Sequence, residues 1–435
     1  MASTYLTKTL GTPTNNKIWT FSAWVKRAKV ADGQYPNIFC ANSLRDCIRF
    51  HDSDKMQIFF NEVSSGNLFT NRLFRDVNAW YHIVVAVDTT QATASNRVKL
   101  YVNGVQETSF STETYPSQNY TNFINSAIEH RIGKDFSYSE YYKGSMSHIH
   151  FIDGTQYSAS DFGSTDATTG EWKINTSPSV TYGNNGFFIL KDGNSVTDQS
   201  GNGNNFTVSG GTLTKTEDSP SNVFATWNPL VKDAGSTGYY HGNTQHNVDT
   251  ANWRSAFSTL GMTTGKYYFE ALKSNGSHGM IGIRGVEQCD GSLAGNNDHI
   301  GVVSQGWGLY NYDGVVKNND SNVGSSIGTY ANGDYMGCFL DCDNSKLYFS
   351  KNGTMMNTTG YSITAGLTYM FSVSGHSTYR WVCNFGNGAF GSTQLTGTTY
   401  NGSDGNGIFK YNPNSITLDG SSKSFKSLST KGLNL

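Results

Sequence analysis

Two segments far apart in the chain end a β-rich run in the same dipeptide. Val98-Lys99-Leu100-Tyr101-Val102 runs into Asn103-Gly104, and Lys346-Leu347-Tyr348-Phe349-Ser350-Lys351 runs into Asn352-Gly353. Asn-Gly tolerates positive φ at both central positions of a turn, which the tightest β-hairpin connection demands. Each pair therefore predicts a hairpin. The strand patterns around the two hairpins differ, so the chain reads as two different all-β modules in series. Modules of this kind usually bind rather than transform.

At 435 residues the chain is long enough for two or three domains with their own cores. Charged residues are only 15% of it, while Gly reaches 48 and aromatics 13%. That suits short strands joined by many turns; runs of Leu, Ala, Glu and Lys at helical spacing are missing. Lys plus Arg (31) nearly balances Asp plus Glu (33), leaving no basic excess for a nucleic-acid surface. No stretch approaches the length of a membrane span. The start, Met1 to Leu6, carries no charged segment followed by an apolar run, so a cytoplasmic site of synthesis and folding is expected. The six cysteines, Cys40, Cys47, Cys289, Cys338, Cys342 and Cys383, contain no C-x-x-C pair and no disulfide framework, and read as buried free thiols.

In the strand Lys17 to Arg27, Trp19, Phe21 and Ala23 alternate with Thr20, Ser22 and Trp24, giving one core face. Asn78 to Asp88 is apolar on both faces, as a central sandwich strand is. The Asn103-Gly104 hairpin follows, then Ile132-Gly133, then Gly144-Ser145-Met146-Ser147. Trp19, Trp24, Trp80 and, further on, Trp307 are assigned to core. This order resembles the laminin-G-like branch of the concanavalin A-like jelly rolls, over about residues 1–155. Further on, Gly265-Lys266-Tyr267-Tyr268-Phe269-Glu270, Gly279-Met280-Ile281-Gly282-Ile283, Gly333-Asp334 to Asp341 and the second hairpin resemble the SPRY fold, over about residues 236–390. The expected fold is all-β: a concanavalin A-like, laminin-G-like jelly-roll sandwich over 1–160, and a SPRY-like β-sandwich over 235–390. Between them, 161–234 reads as a β-rich connector packed on the first domain, and 391–435 as a C-terminal tail that docks on the SPRY-like module or on another chain.

The combination also resembles virion proteins of tailed phages. The lead Ser3-Thr4-Tyr5-Leu6-Thr7-Lys8-Thr9, the strand Trp19 to Arg27 and the junction Asp218 to Leu230 carry that resemblance. It implies a non-enzymatic virion structural protein, made in the host cytoplasm, acting as a tail-fibre or receptor-binding component on host surface glycan or protein. The alternative is a capsid or tail decoration protein without host contact. Implied partners are other virion proteins, the host receptor and further copies of the chain in a homo-oligomer; nucleic acid and membrane insertion are not implied.

Catalytic patterns fail on their context. Glycoside hydrolysis needs two carboxylates at defined separation, and none of the nine Glu residues stands in such an arrangement. Gly324-Ser325-Ser326-Ile327-Gly328 spells a nucleophile elbow, and Gly386 to Gly391 a dinucleotide fingerprint, but neither leads into a helix. No catalytic residue is expected. Binding candidates are loop aromatics and polar residues: Tyr138, Tyr141 and Tyr142 in the first module, and Tyr239, Tyr240, His241, Asp290, Asn296 and Asp298 in the second. A flat ring can stack on a sugar face while polar neighbours take its hydroxyls; tyrosines that merely close a sandwich edge are the competing reading. The one cofactor considered is Ca²⁺, a hard cation that takes oxygen ligands, with Asp52, Asp54, Asp192 and Asp198 as candidate ligands against a role in turns.

Overall fold

The computed structural model describes residues 3–31, 33–41, 46–191, 193, 195–231, 238–289 and 298–434. The chain divides into two compact units, residues 1–213 and 214–435, and both are built from strands.

Both Asn-Gly pairs form the hairpins their chemistry dictates. Asn103 and Gly104 have φ of 47° and 83°, and Asn352 and Gly353 have 51° and 81°, so all four sit in the left-handed region that Asn and Gly tolerate. The asparagines do a second job. The Asn103 carboxamide oxygen accepts the His82 backbone N–H at 2.7 Å, and that of Asn352 accepts the Tyr335 N–H at 2.9 Å. Each turn is thereby tied to the strand beside its own hairpin.

In the first unit an eight-stranded sheet faces a six-stranded one. The six-stranded sheet is centred on Ile18–Arg27, which pairs with Gly144–Asp153 on one side and Trp80–Asp88 on the other. Between the sheets lies the core: Trp19, Phe21, Ala23 and Val25 meet Phe39, Ile48, Ile58 and Leu68 of the facing sheet, the alternation of a strand with one face on the core. The opposite face of Trp80–Asp88 is also covered. Val84 packs with Ile152, Ala159 and Phe162 under Trp172, so that strand is apolar on both sides. Two later segments complete the sheets: Phe187–Ile189 pairs with Gly144–Asp153, and Thr207–Ser209 pairs with Tyr5–Thr9.

Cys40 and Cys47 form a disulfide, with their Cα atoms 4.3 Å apart. This corrects the expectation of six free thiols. The register sets Asn37–Ala41 against Asp46–Phe50 so that Cys40 lies directly opposite Cys47, a proximity the spacing in sequence does not reveal. Cys289, Cys338, Cys342 and Cys383 remain free.

In the second unit a nine-stranded sheet centred on Lys266–Asn275 packs against a six-stranded sheet centred on His278–Gly285 and Tyr369–His376. Trp227, Phe269, Ile281, Trp307, Val373 and Trp381 lie in the core between them. All four tryptophans assigned to core from the sequence are buried: Trp19, Trp24, Trp80 and Trp307. The last residues pack on this unit. Lys426–Ser427 pairs in parallel with Lys266–Asn275, and Phe409, Leu418 and Phe425 close a second apolar cluster over Tyr268, Phe339 and Tyr348. Glu270, fully buried, fastens the tail: its carboxylate accepts the Lys410 and Tyr411 N–H groups at 3.0 and 2.7 Å, together with Asn384 Nδ2 at 3.1 Å. No helix among the described residues is long and apolar enough to cross a membrane.

Candidate functional site

The tyrosine loop of the first unit lies beside the outer face of the eight-stranded sheet, and it splits the three candidate tyrosines. Tyr138 is 61% exposed at the loop tip, where its N–H is accepted by the Asp135 carboxylate at 2.9 Å. Tyr141 is half-buried, with its ring 6.2 Å from that of Tyr5; Lys134 Nζ lies 5.6 and 5.4 Å from the two rings. Tyr142 is buried, donates its hydroxyl to the Lys26 carbonyl at 2.9 Å and belongs to the core. It is therefore no ligand residue, which corrects its place among the candidates. The aspect that remains open combines Tyr138, Tyr141 and Tyr5 with three cation–ring contacts made by two arginines. Arg131 lies 3.9 Å from the Phe136 ring, and Arg49 lies 4.7 Å from both Tyr35 and Phe59.

Asp54 and Asp198 are already committed to other partners. Asp54 is 1% exposed, and its two oxygens meet Arg27 Nη2 at 3.1 Å, Arg75 Nε at 3.0 Å and the Ala31 N–H at 2.8 Å. A cation there would face two guanidinium groups. Asp198 accepts the N–H groups of Phe188, Ser200 and Asn204 and the Ser200 hydroxyl, all between 2.8 and 2.9 Å, so it is the hub of a turn. Asp52 accepts a long hydrogen bond from the Tyr35 hydroxyl at 3.4 Å and lies 2.5 Å from His51 Nδ1. Asp192 falls outside the described residues. Among the described residues no group of three or more His, Cys, Asp and Glu is arranged to hold a metal.

In the second unit Tyr239 and Tyr240 lie on the edge strand Gly238–Tyr240. The Tyr239 ring sits 5.1 Å from His246, the Tyr240 ring lies over Gly238, and His241 packs beside Gly391. Burial lowers the His241 pKa. Asp298 is 1% exposed and ion-paired with the equally buried Arg284 at 2.7 Å; as a buried charge that needs its partner, it is corrected from loop ligand to structural anchor. Asp290 and Asn296 lie outside the described residues. The two glycine motifs are turns. Ser326 Oγ donates to the Asp313 carbonyl at 2.7 Å, and the Asn384 side-chain oxygen accepts the Gly386 and Gly388 N–H groups at 3.0 and 3.1 Å.

One cluster escaped the sequence reading. On the six-stranded sheet of the second unit, Ala256, Val373, Ile281 and Leu309 face the core. Trp253, His376 and His278, at or beside strand ends, each stand three positions from one of these, so the period of two sends them to the opposite face; Tyr312 lies in the turn two residues past Gly306–Tyr310. Register places them side by side. His278 is paired with His376; Trp253 precedes Arg254, which is paired with Gly375; Tyr312 follows Tyr310, which is paired with Met280. The ring centroids confirm the row: Trp253 to His376 5.8 Å, His376 to His278 5.9 Å, and His278 to Tyr312 5.5 Å. Tyr310 stands behind it, 5.7 Å from Trp253 and hydrogen-bonded to His278 Nδ1 at 2.6 Å. Tyr312 is 70% exposed, and Trp253, His278, Tyr310 and His376 are half-buried. The signal in sequence is faint, because the four residues come from four strand ends and only the register joins them.

Residues 2–161 match the family model described as the concanavalin A-like lectin/glucanases superfamily, and residues 266–388 match that of the SPRY domain. The chain thus carries a concanavalin A-like, laminin-G-like jelly roll and a SPRY sandwich, a pair of domains that suggests a binding function. Among solved structures it is similar to the SPRY domain of human HERC1, at 13% identity and a TM-score of 0.28, covering 36% of this chain and 91% of that one. A TRIM65 PSpry domain gives 13% identity and 0.30, covering 40% and 90%. A Bacteroides ovatus protein assigned to carbohydrate binding gives 12% and 0.30, covering 49% and 59%. No curated protein matches the chain.

Proposed function

We propose that this chain is a non-enzymatic recognition protein of a tailed-phage virion, a tail-fibre or receptor-binding component that engages glycan or protein on the host surface. The observation that carries the reading is the union of two binding sandwiches in one chain, joined to the lead Ser3 to Thr9 and the junction Asp218 to Leu230 that resemble phage virion proteins. Each unit has aromatic side chains open to solvent, Tyr138 in the first and Tyr312 in the second. In this reading the chain is held in the virion through other structural proteins, in several copies, and its exposed rings meet the host.

The test is saturable binding of the fluorescently labelled full chain to candidate host cells, paired with antibody labelling of intact virions. Saturable binding that extracted surface polysaccharide or protein competes away, with label at the fibre, supports the reading. A folded chain that binds no host cell, with label spread over the capsid, refutes host recognition and leaves a decoration protein.

A further inference from the structure

We propose that the ring row on the outer face of the second unit's six-stranded sheet is a platform for an uncharged oligosaccharide; this rests on the recognition reading above and assigns it a site and a ligand class. Trp253, His376, His278 and Tyr312 stand at or just beyond the ends of four neighbouring strands, with Tyr310 behind them. Strands lie about 4.8 Å apart, so the row spans roughly 15 Å, a length suited to a chain of sugar rings rather than to one.

The chemistry of the row selects the occupant. Apolar C–H faces of a pyranose pack on flat rings, and the rings here carry polar edges, the phenol hydroxyls and imidazole nitrogens, that exchange hydrogen bonds with sugar hydroxyls. An apolar helix laid on the same face would strand those edges without partners. Two lysines near the rings are already engaged. Lys317, 5.7 Å from the Tyr310 ring, is held by Asp313 at 2.6 Å and by Asn322 at 2.5 Å. Lys273 donates to Asn332 at 2.6 Å and to the Gly276 carbonyl. With the Lys317 charge paired by Asp313 and the Lys273 ammonium turned onto an amide and a carbonyl oxygen, the platform offers an acidic polymer little attraction, and a neutral one complements it. A separate observation points the same way. His299 stacks edge-on against Trp253 at 5.4 Å and is 5% exposed. Its Nε2 faces Asp320 at 3.3 Å, while its Nδ1 is buried without a hydrogen-bond partner. A buried polar atom left unpaired is costly, and a ligand hydroxyl reaching past Trp253 would satisfy it.

Affinity electrophoresis of the full chain tests this, in gels cast with dextran, glycogen, galactomannan or xyloglucan, and with alginate as the acidic control. Retardation by at least one neutral polymer is expected. Tyr312→Ala, at an exposed position that folding does not need, should weaken it about fivefold and Trp253→Ala about tenfold, the weight of single aromatic contacts. Circular dichroism spectra like the wild type's show that both variants fold. Tyr138→Ala, on the other unit, should leave the retardation unchanged. Retardation by none of the neutral polymers, retardation by alginate alone, or retardation that Tyr312→Ala and Trp253→Ala both retain overturns the platform. Host-cell binding by the same samples separates this from the broader reading: cells bound equally by wild type and Tyr312→Ala remove the platform and leave recognition standing, whereas cells bound by neither remove both.

Discussion

Glu270 makes the attachment of the C-terminal tail pH-dependent, with a sign opposite to that of an ordinary surface carboxylate. Its side chain is fully buried, and burial raises its pKa from the usual 4.5 to about 7, against the opposing pull of the Lys410, Tyr411, Asn384 and Tyr268 donors. A carboxyl whose folded pKa lies above its unfolded one binds more protons when folded. The stability it contributes is complete below pH 4.5 and is lost as pH rises through about 7. At about 1.4 kcal/mol per pH unit, the loss is about 3 kcal/mol. Asp46, raised to about 6 by burial, acts in the same direction in the first unit. His246 acts in the opposite direction in the second unit, its pKa lowered to about 3. The contribution of Glu270 therefore has to be isolated with Glu270→Gln. An amide replaces the protonated carboxyl's O–H, whose oxygen can still accept, with an NH2 that only donates, facing either Tyr411 N–H or Lys410 N–H and Asn384 Nδ2. A stranded buried donor costs about 1–3 kcal/mol. Urea unfolding of wild type and variant from pH 4.5 to 8 provides the comparison. The variant should be less stable at pH 5, and the gap should close by about 3 kcal/mol as pH rises. A gap independent of pH would show that Glu270 ionises alike in the folded and unfolded chain, and that its burial carries no pH dependence.

Asp54→Asn leaves Arg27, 2% exposed, without its carboxylate, and should destabilise the first unit by about 3–5 kcal/mol in urea melts. Alkylation of the denatured chain without reductant should label four thiols by mass spectrometry, and reductant should raise the number to six, because only Cys40 and Cys47 are joined. A chelator should leave the melting temperature and host-cell binding unchanged, since Asp54 and Asp198 are already committed to arginine and amide donors; a drop of several degrees would mean that another set of oxygens holds an ion.

What the sequence made legible was whatever local stereochemistry or strand periodicity controls. The Asn-Gly pairs could form little else than hairpins, and positive φ at all four residues follows from that. Alternation in Ile18–Arg27 put Trp19, Phe21, Ala23 and Val25 in the core for the same reason. Residues whose environment depends on register were misread. Tyr142 and Tyr138 stand in one short loop with the same side chain, but only Tyr142 points at the Lys26 carbonyl of the central strand. Cys40 and Cys47 are joined by a pairing between strands, and Asp298 is fixed by an arginine fourteen positions earlier, Arg284. The ring row makes the point most fully. Trp253, His278, Tyr312 and His376 each sit at or just beyond a strand end and look unremarked alone, and only the register of four strands sets them 5.5 to 5.9 Å apart. A binding surface built across strands is spread through the sequence by construction. In a sandwich protein, therefore, the loops draw attention first, while a site on a sheet face becomes visible only after the register is known.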